Sequence, residues 1–135
     1  MADYKKPLPH PTAVTLPFWE AAKRHELQIQ QCGSCRAYVF YPREVCSECL
    51  SPDMSWVQVS GKGILYSYTI AQAPTHSSFT EDVPYVIAIV ELAEGPHITT
   101  NIVGCKIEDL KVNMPVVASF ADVTPDITLV KFRPA

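Results

Sequence analysis

The chain has 135 residues, 47% of them apolar and 19% charged, with 11 Lys and Arg against 14 Asp and Glu for a net charge of −3. That length suits one domain, or one compact domain with a small appendage, and the apolar content is enough for a core, which excludes a disordered chain. The acidic balance counts against nucleic-acid binding driven by counterion release, although local basic patches stay open.

The opening MADYKKPLPH lacks the apolar run of a secretory signal, and the longest near-continuous apolar run, VPYVIAIVELA, falls short of the ~20 apolar residues that span a bilayer. A cytoplasmic location and no membrane partner are expected. Residues 1–14 carry Pro7, Pro9 and Pro11 without apolar periodicity and read as an extended arm, ordered only if something holds it. Residues 15–26 read as a helix: Thr15 is placed to cap, Pro17 fits the first turn, and Phe18 and Ala22 follow at helical spacing. Phe18 and Trp19 are large for so short a helix. At least one of them is therefore expected to dock on a partner surface; the alternative is that both anchor the helix to its own core.

From Leu27 the period changes to two, with Leu27 and Ile29 on one face and Gln28 and Gln30 on the other, leading into Cys32. AYVFY and SWVQVS read as further short strands. Strands this short do not enclose a core by themselves. Residues 27–55 also hold Cys32, Cys35, Cys46 and Cys49 in the pattern Cys-x2-Cys-x10-Cys-x2-Cys. Two residues between thiolates let one tight turn aim both sulfurs at one point, and a second such turn completes a tetrahedron around Zn(II). In a reducing compartment such pairs point to metal rather than to disulfides. With no open coordination position, the zinc is expected to hold structure rather than activate water. A redox dithiol pair and a vestigial site without metal are the rival readings. Cys105, outside the set, reads as a small core residue.

Residues 56–135 read as β-structure. A long strand from about Trp56 to Ile70 bends at GKG, YVIAIVEL is a buried strand, AEGP a turn and HITTNIVG an alternating strand. A short helical or turn segment, KIEDLKVNMP, precedes VVASFADV and ITLVKFRP. Strands in that order, the first bent and a short helix between the third and fourth, match a five-stranded OB-fold barrel. The fold expected is mostly β: an N-terminal helix, a rubredoxin-like zinc ribbon and a C-terminal OB-fold barrel.

No catalytic residue can be nominated. His10, His25, His76 and His97 are scattered over arm, helix, loop and strand; THSS at 75–78 reads as solvated loop; Glu81 and Asp82 are adjacent and point apart. The connection at 71–84 is long and sets Phe79 among polar residues, which suits an interaction surface, a lid or plain solvated loop. Phe18, Trp19 and Phe79 are the candidate partner-binding residues.

With these parts assembled, the chain resembles a family long filed as a domain of unknown function, the zinc-ribbon and OB-fold proteins associated with acyl-CoA enzymes. PFWEAA looks like its helix, LQIQQCGSC and FYPREVCSEC like its ribbon, and VSGKGILYSYT like the entry to its barrel; VPYVIAIVEL, TNIVGC, DLKVNMPV and LVKFRP look like its later strands. Ser47 and Leu50 stand where the family often has Pro and Gly, and Asn113 where Gly is frequent. The resemblance implies a non-catalytic subunit that assembles with a thiolase-like or enoyl-CoA hydratase-like enzyme, with acyl-CoA at the shared interface. The alternative carried by the parts is single-stranded nucleic-acid binding by an OB barrel with stacking aromatics. A third reading is a free-standing acyl-CoA carrier or enzyme, which would bind or turn over CoA thioesters alone.

Overall fold

Helix α1 spans Leu16–Lys23, shorter than the 15–26 stretch, in a computed structural model that describes residues 4–74 and 76–135. Residues 1–3 of the expected arm and Thr75 of the long loop lie outside the described residues. Pro17 sits in the first turn, where its missing N–H costs nothing. Thr15 holds the N-cap position but does not cap with its side chain. Its own backbone is helical (φ −92°, ψ −12°) rather than extended, and its hydroxyl accepts the Thr12 N–H at 2.8 Å instead. The far end closes when His25 turns left-handed (φ 59°): the His25 N–H reaches the Ala22 carbonyl at 2.8 Å and the Glu26 N–H the Ala21 carbonyl at 2.9 Å. His25 is fixed there because its ring stacks on Phe120, centroids 5.2 Å apart, with Nε2 3.0 Å from the Asp122 carboxylate.

Three short antiparallel strands follow in the order β2-β1-β3: β1 Gln28–Cys32, β2 Tyr38–Val39 and β3 Met54–Gln58. AYVFY thus contributes two strand residues rather than five, and Phe40 leaves the sheet to pack on the main core. Gln30 departs from the alternating reading. It is buried, because the 40–45 segment folds over it: its Nε2 donates to the Arg43 carbonyl and its Oε1 accepts the Arg43 N–H, both at 2.7 Å. A side-chain amide here replaces a missing strand partner.

The second sheet has five strands in the order β6-β5-β4-β7-β8, with β4 Lys62–Ala71, β5 Tyr85–Leu92, β6 His97–Thr100, β7 Pro115–Asp122 and β8 Thr128–Pro134. It curls until its edges meet just past β6. There Ile102 bridges Phe132 in parallel, the Phe132 N–H reaches the Asn101 carbonyl at 3.0 Å, and the Val103 N–H reaches the Phe132 carbonyl at 2.8 Å. A 3-10 turn, Ile107–Asp109, separates the third and fourth of these strands, in OB-fold order. The long strand expected from Trp56 to Ile70 is two strands. The chain leaves the ribbon sheet at Gln58 and enters the barrel sheet at Lys62 through a left-handed Gly61 (φ 76°). Gly63 serves differently, since a Cβ there would lie 2.5 Å from the Glu91 carbonyl oxygen of the paired strand. The bulge that bends β4 falls between Leu65 and Ser67.

Val86, Ala88, Val90 and Leu92 alternate inward along β5 and meet Leu65, Val116 and Phe132. Phe18 of α1 and Leu27 and Ile29 of the ribbon join the same cluster, so helix, ribbon and barrel share one core.

Candidate functional site

Each cysteine pair sits in a turn of the same construction. After Cys32, the Ser34 and Cys35 N–H groups point at its sulfur (3.3 and 3.4 Å) and the Arg36 N–H closes on the Cys32 carbonyl at 3.0 Å. After Cys46, the Glu48 N–H points at the sulfur (3.3 Å) and the Leu50 N–H closes on the Cys46 carbonyl at 2.9 Å. Closing each turn forces the residue after the second cysteine into the left-handed region, Arg36 at φ 67° and Leu50 at φ 65°. A residue with a Cβ is strained there by roughly 1 kcal/mol.

The strands carry the turns together. All four sulfurs lie within 4.8 Å of one another, with Cys32 to Cys49 and Cys35 to Cys46 both 3.6 Å apart, and all four thiols are free. Zn–S bonds of ~2.3 Å in a tetrahedron put sulfurs about 3.8 Å apart, so the cluster fits a four-coordinate metal. Cys32 and Cys46 face inward and Cys35 and Cys49 outward. The Cys35 N–H, then that of Ser34, holds the Cys32 thiol down to about 6 against its burial. For Cys35 the Ala37 N–H favours the thiolate, but desolvation and the three neighbouring sulfurs outweigh it and push the thiol up to about 12. Sulfurs this close do not all ionise unaided. A divalent cation among them makes four thiolates compatible.

Cys105 is exposed rather than part of the core, because the chain turns outward at Gly104 (φ 76°) just past the Ile102–Phe132 bridge. Its thiol is pushed up by partial desolvation and by the Asp109 carboxylate. His76 starts a 3-10 turn, Ser77–Phe79, by accepting the Ser78 N–H at 3.1 Å, and its Nδ1 lies 2.7 Å from the Ser78 hydroxyl. This is an exposed contact between near neighbours in the chain.

The aromatic candidates divide. Phe18 is buried, 5.0 Å from Trp19 and 5.7 Å from Phe40 between ring centroids, while Trp19 is half-buried. Both line an apolar cavity of about 310 Å³ where α1, the ribbon segment Phe40–Pro42 and the barrel edge meet. Tyr41 ties that junction, its hydroxyl accepting the Thr99 N–H at 3.2 Å. Phe79 stands apart, half-buried against Tyr85 at 5.9 Å, beside a second cavity of about 600 Å³. The arm runs along that cavity, pinned by Lys6 to Asp82 at 2.7 Å. The hydrogen bond that Lys6 donates to the Asp82 carboxylate raises the pKa of Lys6. The two cavities share Asn101, Leu129 and Lys131, and burial, with Lys6 nearby, lowers the pKa of Lys131. The aromatics stand out in the sequence, whereas the burial of Lys131 and Gln30 does not, because it depends on long-range contacts. Among the described residues no helix is long and apolar enough to cross a membrane.

Residues 19–55 match the rubredoxin-like zinc ribbon domain of ChsH2, and residues 56–121 its C-terminal OB-fold domain. A "Probable enoyl-CoA hydratase alpha subunit" of Thermomonospora curvata is 42% identical over 119 residues, which cover 87% of this chain and 37% of that one. This chain therefore spans only about a third of the length of that subunit. A "DUF35 domain-containing scaffold protein" of Methanocaldococcus jannaschii is 38% identical over 97 residues, 71% of this chain and 68% of that one. Among solved structures, a chain of the "Ltp2-ChsH2(DUF35) aldolase" superposes with a TM-score of 0.84 at 38% identity, covering 94% of this chain and 98% of that one. The resemblance read from the motifs holds, and this chain belongs to the DUF35 family of zinc-ribbon and OB-fold proteins represented by ChsH2.

Proposed function

We propose that the chain is a non-catalytic accessory subunit that assembles with an acyl-CoA enzyme, thiolase-like first and hydratase-like second, and supports its activity. The observation that carries this reading is the likeness, over 98% of that chain, to a chain of the Ltp2-ChsH2(DUF35) aldolase, whose name joins a chain of this type to a second protein. Two features of the molecule agree with it. The four-sulfur cluster offers a metal no open position for substrate, so its contribution is to hold shape. The cavity bounded by Phe18, Trp19 and Phe40 opens at the junction of helix, ribbon and barrel, where an apolar group of a partner or its acyl-CoA would meet all three.

The test is co-purification of tagged protein under gentle conditions, with mass-spectrometric identification of whatever follows it. A thiolase-like or hydratase-like chain should be recovered, and turnover of its CoA thioester should need both chains. Recovery of the chain alone, together with full activity of that enzyme in its absence, contradicts the proposal. Single-stranded nucleic-acid binding that weakens steeply with salt would favour the alternative instead.

A further inference from the structure

We infer that Leu50, at the tip of the second cysteine turn, is a contact residue for the partner enzyme and seats in an apolar pocket of that enzyme rimmed by basic side chains. This rests on the accessory-subunit reading and names the surface it uses.

The two cysteine turns supply the argument because their backbones are alike. Each places one residue in the left-handed region, where glycine would be unstrained: Arg36 at φ 67° and Leu50 at φ 65°. Arg36 is a charged side chain at ease in water. Leu50 is not, and 73% of it is exposed. Within the free chain it adds backbone strain and leaves most of its apolar surface in water. A lone exposed apolar side chain is ordinary, but one kept in a left-handed backbone that glycine would occupy without strain is an outlier of the kind that points to a function outside the free chain.

The setting favours docking. The Cys46 N–H bonds the Ser51 carbonyl at 2.9 Å and the Leu50 N–H the Cys46 carbonyl at 2.9 Å, so the turn's entry and exit lie together, and Val45, which precedes the entry, is 42% exposed. A metal-bound turn loses little freedom on binding, which makes a small apolar tip effective. The charge says what receives it. Across the two cysteine turns, residues 33 to 53, Glu44, Glu48 and Asp53 are exposed against Arg36 and Arg43, and four thiolates on one divalent ion add further negative charge. The complement is an apolar pocket with Lys and Arg at its rim. A second copy placed symmetrically would set two acidic tips against each other.

The experiment uses the full chain and the enzyme that co-purifies with it, comparing wild type with Leu50→Gly and Leu50→Asn, both of which tolerate the left-handed backbone. Zinc content should be unchanged, the melting temperature of the chain alone should rise by a few degrees, and affinity for the enzyme should fall about tenfold or more. Unchanged affinity in both variants overturns the inference while leaving the accessory-subunit reading intact. A melting temperature that falls for both variants also overturns it, by showing that Leu50 works within the chain. Failure of the wild type to bind any acyl-CoA enzyme removes the reading and this inference with it. Self-association of the wild type that Leu50→Gly abolishes assigns the tip to a second copy and overturns the inference.

Discussion

The ribbon and the barrel hold together by different means. The five-stranded sheet curls into a half-barrel and buries Leu65, Val90, Leu92, Val116 and Phe132 almost completely, so its cohesion is apolar burial on the concave face of paired strands. The outer half of the ribbon has Cys32, Val39 and Cys46 as its entire buried cluster, with Met54 against it. Its inner face is different again, because Leu27 and Ile29 belong to the barrel's core. Metal is therefore needed where the strands run out, at the two cysteine turns, and burial suffices where β1 lies on the barrel.

The comparison breaks most severely at a ligand. Cys46→Ser should abolish stoichiometric zinc and unfold the cysteine turns, at a cost of several kcal/mol, since structural zinc contributes about 10–16 kcal/mol in isolated zinc-finger peptides. Metal analysis with amide exchange reads this; retained zinc would refute the ligand assignment. In the barrel, Gly63→Ala puts a Cβ against the Glu91 carbonyl oxygen at 2.5 Å, too close without moving a strand. We expect a loss of about 3 kcal/mol in denaturant unfolding with zinc content unchanged. Gln30→Ala tests the seam between the regions. It orphans the Arg43 N–H and carbonyl, both paired at 2.7 Å, and should cost about 2 kcal/mol while loosening the 40–45 segment.

The smallest effect lies at the helix end. The Thr128 hydroxyl and then His25 lower the pKa of Asp122. A lowered carboxylate pKa contributes stability that is complete above the unfolded value of ~3.9 and is lost as pH falls through the folded value. Asp122→Asn should therefore lower stability slightly at neutral pH, where the contribution is complete, and the gap from wild type should close as pH falls below about 4, so that the acid limb flattens; the effect is small throughout because the pair is half exposed. An unaltered acid limb would show that the contact contributes nothing.

How much of this was legible follows the range of the contacts involved. The cysteine cluster could be read because each pair is a local turn and only the meeting of two turns is long-range. The barrel strands could be read from alternation and from the glycines that punctuate them. Gln30 could not, because its burial comes from a segment thirteen residues away folding over it. The division of the Trp56–Ile70 stretch escaped for a related reason: both halves have strand character, and which sheet each joins is decided by pairing. Cys105 reads as core because a lone thiol at a strand end is most often a small core residue, but the left-handed Gly104 directs the chain outward. Of the aromatic candidates, Phe18 went to the core and Trp19 to the cavity rim, a division set by how α1 lies across β1 and β8 rather than by anything local.

The central claim is that metal stands in for a core at the tip of the ribbon. Amide hydrogen exchange on one preparation, before and after metal removal under reducing conditions, tests it most directly. The account predicts that protection collapses across the two cysteine turns and β2, weakens along β3, and persists in β4, β5 and β8. Protection of the cysteine turns that is unchanged once the metal is gone would contradict it.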